Sequence, residues 1–497
     1  MKYLYILVFT VLLGSLTSCN DWLDVSPKDR IPADKMFESE SGFKDVLTGA
    51  YLKLGTTNLY AGDLTYAYLD EAAGLYSDYP GNNTNSVFNQ ATVFDYANQF
   101  LGKKDGIYLD MYNVVANLNN LLGNLESHRD VLKTPHYYEV MKGEALGLRA
   151  FVYFDLLRLF GPIYSENPSA DAIPYKTTYD KEPTPVLPAN QVVEKIIADL
   201  KDAEALLKDN DPCDFRTDYE ARTEFLSNRE FRMNLYAVKA MLARVYCYAG
   251  QKDLAVQYAQ EVIDAKNYFT LYKSQTASNY NSIRYGEQIF GISIDQFGNL
   301  LNSNYMDMEN TDSPQQRFGM SSDMFSKVFE GYTSDWRQNI VAFGWDDGHQ
   351  YAYCKKYNQA PLADSYVYSG ANAMPLIRLP EMYYIVAECA SSAQESADAL
   401  NTVRQSRGIP YSDEIQTVGY DALDASSNEN KQQTKRINEI MKEYRKEYFA
   451  EGQLFYFLKA HHYTTYYGCG VSNMTSKEYQ MPLPDNEKIF GNNTTTK

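Results

Sequence analysis

Apolar residues recur at three- and four-residue steps along most of this chain, a period that predicts helices. Val193, Ile196, Ile197, Leu200, Ala203 and Leu207 form one stripe, with Asn190 placed to cap it and Asp211-Pro212 closing it. Leu235 to Ala265 carries another, interrupted at Gly250, and so predicts two helices in a hairpin. Within it Leu242, Ala243, Tyr246, Gly250, Ala255, Ala259 and Val262 fit the tetratricopeptide spacing, in which small residues let two helices approach and an aromatic fills the gap between repeats. Further stripes at Asp110 to Leu125, Met141 to Phe160, Leu379 to Ala390, Ala397 to Arg407 and Ile437 to Leu458 predict paired helices that stack.

Other stretches lack this period. Tyr60 to Phe100 is rich in Tyr, Asn, Gly and Asp, too long for an idle connector and too aromatic for disorder. Ile173 to Pro188 holds four prolines and suits an extended loop or irregular hairpin. Tyr268 to Met374 is again aromatic, with Ile289 to Ile294 reading as a strand. The expected fold is therefore mainly α: a tetratricopeptide-like helix-pair superhelix with an irregular, loop-rich ligand-binding half containing a few short strands. The scaffold should span about 42–54, 110–160, 190–265 and 376–460, the ligand-facing segments about 60–100 and 268–374, and the tail from Lys477 should be loose.

The amino terminus changes the cellular picture. One lysine, an apolar run from Leu4 to Leu13 and small residues to Cys19 describe a secretory signal over 1–18, too short to span a bilayer of ~20 residues. Leu16-Thr17-Ser18-Cys19 resembles a bacterial lipobox, with Cys19 as the lipid attachment site; an ordinary signal segment with an incidental cysteine is the alternative. Residues 19–497 would then be one unit tethered to a membrane by lipid alone.

Composition removes several classes of function. With 64 acidic and 46 basic residues the formal charge is −18 and no basic cluster stands out, which argues against nucleic acid. Five cysteines follow Cys19 without a CxxC pair, Cys247 and Cys389 fall in apolar helical patterns as buried thiols, and the five histidines lack zinc spacing, so no metal or cofactor is expected. There are 44 Tyr but 3 Trp, and tyrosine serves both helix packing and ligand contact.

Several ordered blocks resemble the SusD/RagB family of Bacteroidetes surface lipoproteins. These are Trp22-Leu23-Asp24-Val25-Ser26-Pro27, Phe43 to Leu54, Arg149-Ala150-Phe151-Val152-Tyr153-Phe154 through Phe160-Gly161, Asp199-Leu200 with Ala203, Asp335-Trp336-Arg337, Arg378-Leu379-Pro380-Glu381, Leu400-Asn401 to Arg407-Gly408, and Arg445 to Gly452. The chain departs from the family at Gln405-Ser406 and at Leu454-Phe455-Tyr456-Phe457. The resemblance implies non-enzymatic capture of glycans or oligosaccharides at the cell surface, and their delivery to a SusC-like TonB-dependent transporter of the outer membrane. It also implies that loops following Asp70-Glu71 contribute to the ligand site.

Glycan capture needs a flat aromatic face for the C–H face of a sugar, with polar groups beside it for the hydroxyls. Tyr76, Tyr79, Asn82 and Asn83 supply that chemistry on a turn-rich segment, and Phe297, Asn302, Tyr305 and Trp345 form a second set. Trp336 reads as structural. A tetratricopeptide-type scaffold, or a related protein capturing peptides, is the alternative. An enzyme is not expected: GxSxG, HExxH, P-loop and GxGxxG signatures are missing, and Glu443, Glu447 and Glu451 interleave with Lys442, Arg445 and Lys446 as a solvated, salt-bridged helix face would.

Overall fold

The computed structural model describes residues 35–77, 94–97, 101–212, 224–273, 285–303, 319–338, 343–345, 351–354, 356–357 and 372–490. Cys19 and the signal segment lie outside the described residues. Ten helices of the scaffold follow in chain order: α1 (Glu40–Leu54), the short α2 (Tyr68–Ala72), α3 (Leu101–Ser127), α4 (Tyr137–Phe160), α5 (Ala189–Leu207), α6 (Leu235–Tyr248), α7 (Lys252–Ile263), then, beyond the irregular half, α10 (Leu379–Cys389), α11 (Ala393–Ser406) and α12 (Lys435–Glu447). The intervening α8 (Phe297–Ser303) and α9 (Ser322–Val328) belong to the irregular half, and α13 (Gln453–Ala460), α14 (Ser476–Tyr479) and α15 (Asp485–Phe490) complete the chain.

Each scaffold helix packs on its successor from α3 through α7, α10 bridges from α6 and α7 to α11 and α12, and α13 closes onto α2. The mainly α fold of stacked helix pairs is therefore what the stripes predict. Gly250, at φ +72°, ends α6 by taking a left-handed turn that other residues resist. The proline stretch is an irregular hairpin, with β1 (Asp171–Pro174) antiparallel to β2 (Val186–Pro188). Among the described residues, no helix is long and apolar enough to cross a membrane.

Three expectations need correction. Ile437 to Leu458 is not one helix: it breaks between α12 and α13, where Ala450 and Gly452 take positive φ and the Asp70 carboxylate accepts from both of their N–H groups, at 2.5 and 2.9 Å. The tail is docked rather than loose through Tyr479, whose buried hydroxyl donates to Tyr463 O, and Met481, also buried. Leu59 to Tyr76, expected to face ligand, is buried throughout.

That burial explains much of the tyrosine excess. Tyr60 donates to Asp155, Tyr66 to Ala61 O, Tyr76 to Tyr66 O, Tyr96 to Glu478 O, Tyr357 to Ala450 O and Tyr466 to Ala72 O, all within 2.6–2.7 Å. Irregular backbone leaves carbonyls without ladder partners, and a buried phenol reaches across the core to satisfy one while filling space.

A buried ion network joins the two halves. The irregular half leaves and rejoins the scaffold through β3 (Gln288–Ser293) paired antiparallel with β7 (Ala373–Arg378). At their ends Glu287 and Arg378 meet Arg407 from the end of α11 and Glu447 from α12. Glu447 accepts from Arg378 Nη1 (2.7 Å), Arg407 Nε (2.9 Å) and Arg337 Nη1 (3.2 Å). Arg378 also reaches Glu451 (2.8 Å) and Glu287 (3.2 Å), and Lys356 pairs with Glu451. Burial would push the Glu443 carboxyl up, but Arg337, Lys446 and Arg404 outweigh it and hold the group well below its usual range. The Glu443, Glu447 and Glu451 face is thus the opposite of solvated: all three are almost fully buried. The interleaved charges that read as surface are partners for arginines distant in sequence.

Lys459 carries a consequence for pH. Its buried ammonium donates to Arg158 O (2.7 Å) and Gly161 O (2.8 Å) at the end of α4, while burial and the nearby Arg158 charge lower it to about 7. A lysine depressed in the folded state binds fewer protons there than when unfolded, so stability should rise as pH climbs above 7, by about 1 kcal/mol between pH 7 and 8. Urea titrations of the wild type and of Lys459→Met at both pH values check this. A rise that survives in the variant would assign it to other groups.

Candidate functional site

Ser77 is the last described residue before segment 78–93, and its position is fixed by a strand from the far half of the chain. Ser77 N donates to Gly319 O (2.8 Å), and Ser321 N donates to Ser77 Oγ (3.0 Å). Gly319–Ser321 is β4, an edge of a three-stranded antiparallel sheet in which β6 (Tyr351–Cys354) is central and β5 (Phe343–Trp345) is the other edge. The two aromatic, Asn- and Gly-rich stretches therefore meet at one place. Ser77, Gly319, Trp345 and Tyr351, which border the segments 78–93, 304–318 and 346–350, come together at this sheet.

The same sheet positions a groove. Ser321 caps α9 by accepting from Met324 N (3.3 Å), and α9 carries Asp323 and Lys327 to a turn at Thr465–Gly468. Tyr467 OH donates to Asp323 (2.9 Å), Lys327 Nζ donates to Tyr467 OH (3.1 Å), and the ammonium stands 4.4 Å from the centre of the tyrosine ring. Beyond them opens a cavity of about 700 Å³, walled by Glu330, Asp424, Ser427, Glu429, Glu439 and Lys442 among others.

Three of its carboxylates are held ionised. Burial opposes ionisation of Glu330, but Lys446 and Lys442 prevail and lower it, and Arg445 does the same for the half-buried Glu429. Burial pushes Asp424 up, but its bonds to Ser426 and Asn438 together with the Lys442 charge outweigh that and lower it. The groove thus offers fixed acceptors, ammonium donors and serine hydroxyls beside a half-buried tyrosine. That set suits a ligand dense in hydroxyls.

Groove and sheet are mechanically one. Gly74, φ +70°, and Gly468, φ +83°, press backbone on backbone, so that a Cβ on Gly74 would fall 2.6 Å from the Gly468 carbonyl carbon. Gly468→Ala should cost about 1–2 kcal/mol through its left-handed φ and lost contact, and should displace Tyr467 as well. A denaturant midpoint unchanged from wild type would contradict that packing.

The residues expected to bind ligand distribute unevenly. Tyr76 is enclosed, its ring set edge-on to Phe449 at 5.6 Å and its hydroxyl spent on Tyr66 O, so the expectation of an open platform there is corrected. Phe297 is likewise core, packed on Tyr357 at 5.2 Å between centroids. Trp345 is half-buried at the end of β5, edge-on to Phe325 at 4.9 Å, and stands at the converging loop ends. Asn302 lies in α8. Tyr79, Asn82, Asn83 and Tyr305 lie outside the described residues. Trp336 is structural as expected, donating from Nε1 to Ser406 O (2.9 Å). Sequence reasoning passed over Tyr467, although Thr464-Thr465-Tyr466-Tyr467-Gly468 is a turn-forming aromatic pair of the kind sought elsewhere.

Comparison with known proteins agrees with this architecture. Residues 21–247 match a family described as starch-binding, associating with outer membrane, and residues 330–497 match the SusD family. Two SusD-like proteins of Formosa agariphila, P25 and P2, are 27% identical over 33% of this chain and 25% identical over 61% of it. The matched stretches span 32% and 54% of those relatives' own lengths. A SusD-like carbohydrate binding protein from Bacteroides vulgatus shares the fold with a TM-score of 0.67 at 20% identity, over 92% of this chain and 97% of that one. A SusD superfamily protein from Bacteroides thetaiotaomicron gives 0.66 at 18% identity, over 91% and 98%.

Proposed function

Since this chain belongs to the SusD/RagB family, whose members are outer-membrane-associated binding proteins rather than enzymes, we propose that it captures glycans or oligosaccharides at the cell surface without cleaving them. The observation that carries the reading is the polar groove of about 700 Å³ beside Tyr467, continuous through α9 with the converging loop ends at Ser77, Gly319 and Trp345. A sugar there would place its C–H face on aromatic carbon and exchange hydroxyl hydrogen bonds with Ser427, Asp424 and the lysines. Tyr79, Asn82, Asn83, Asn302 and Tyr305 are proposed to extend this surface.

The electrostatics favour retention over hydrolysis. Glycosidases keep one carboxyl protonated as the acid beside an ionised partner. In this groove Glu330, Glu429 and Asp424 are all lowered, leaving none of the three to act as that acid. The captured glycan would pass to a SusC-like TonB-dependent transporter, with Cys19 lipidation holding the chain at the outer membrane. The named carbohydrate-binding relative supports glycans over peptides as cargo.

Native gels cast with individual polysaccharides test the cargo. The expected result is retardation by at least one glycan. Free migration through a broad panel, together with retention of peptides, would overturn the reading.

A further inference from the structure

Cys247 lies one residue before the end of α6, and Cys389 is the last residue of α10, a helix packed against it. Their sulfurs are 3.4 Å apart across 142 residues of sequence, and both are free thiols here. Cys247 is half-buried and faces a small cavity of about 70 Å³ shared with Arg158, Glu388 and His461, whereas Cys389 is buried behind it. We infer that Cys247 and Cys389 form a redox-active pair that closes to a disulfide when the chain meets a dithiol–disulfide oxidase of the cell envelope.

The geometry orders the steps. The Cys247 thiolate, on the accessible side, attacks one sulfur of the oxidant's disulfide, forming a mixed disulfide and releasing one oxidant thiolate. Cys389, already at van der Waals distance, then attacks the Cys247 sulfur and expels the second oxidant thiolate. Two protons and two electrons leave the protein, and the oxidant disulfide becomes two thiols. Closure needs the sulfurs to approach from 3.4 Å to about 2.05 Å. The hydrogen bond shared with Cys389, burial and the Glu388 charge all hold the Cys247 thiol up, so its attack on a disulfide is slow near neutral pH.

The placement gives the bond a task. The residues between the two cysteines include the whole of 268–374, so the crosslink would tie α6 to α10, the helices on either side of the irregular half in the sequence. It would also constrain the unfolded chain by closing a long loop. The occurrence of this oxidation in the cell rests on the cell-surface reading above, because disulfides persist outside the cytoplasm. The capacity of the pair to close does not.

Prolonged incubation of the folded, full-length chain with oxidised glutathione, acid quenching, alkylation with N-ethylmaleimide and digestion without reductant test the pair. The expected product is a peptide pair joined through Cys247 and Cys389 that separates on reduction, with an oxidised form melting several degrees above the reduced one. Alkylation of both residues, or a stable glutathione adduct on Cys247 in the wild type, would overturn the inference. In Cys389→Ser that adduct is expected to accumulate, and its absence would contradict Cys247 as the point of entry. Because no glycan enters the assay, its failure is separate from failure of the capture reading.

Discussion

Glu447→Ala should destabilise the chain by about 3–5 kcal/mol, the cost of leaving buried guanidinium groups without a partner. Glu447 bonds to three arginines that come from different parts of the fold: Arg337 within the irregular half, Arg378 at the end of β7 and Arg407 at the end of α11. Truncation removes all of these bonds at once while water stays excluded. Glu447→Gln keeps the shape and acceptor oxygen but loses the charge, so it should fall between alanine and wild type. Urea unfolding checks the series. A loss below about 1 kcal/mol for alanine would mean that water or another carboxylate replaces Glu447 without strain. Because the network ties β3 and β7 to α11 and α12, the alanine variant should also expose the junction of the two halves to protease before the rest of the scaffold.

This network shows why the fold was more legible than its interior chemistry. A three- and four-residue apolar period reports helices directly, and α5, α6, α7 and α10 fall where that period places them. An acidic and basic alternation carries no such information about burial. Glu443 and Glu447 look like one edge of a solvated helix until Arg337, Arg404 and Arg407, up to 110 positions away, are brought against them. Likewise periodicity runs unbroken from Ile437 to Leu458, and the break at Ala450 to Gly452 is imposed by Asp70, which is 380 residues from Ala450.

The candidate site was legible only in outline. The ends of the two turn-rich, aromatic stretches meet at Ser77 and Gly319, because irregular backbone cannot be absorbed into a helix stack. Composition could not tell a tyrosine facing ligand from one sealing a carbonyl. Tyr76 and Tyr467 both border glycine turns; Phe449 covers the first, while the second stands at the groove.

Tyr467→Ala should weaken glycan binding by about 2 kcal/mol, about thirtyfold, since aromatic anchors carry a disproportionate share of binding energy at desolvated contacts. The substitution removes the ring and also the hydroxyl that joins the Asp323–Lys327 ion pair, at 2.9 Å from the acid and 3.1 Å from the lysine. Tyr467→Phe retains the ring and loses one hydroxyl, so its loss should be about 1 kcal/mol or less. Ordered effects of this kind separate stacking from hydrogen bonding. Equal affinity for all three proteins would move the ligand away from the groove, toward the loop ends at Trp345.

The most direct test is to titrate the chain with a glycan that it retains and then chromatograph the recovered sugar. Saturable binding with the glycan returned at its original length, and binding weakened in Tyr467→Ala, is the predicted result. Steady appearance of shorter products from purified protein would contradict capture without cleavage.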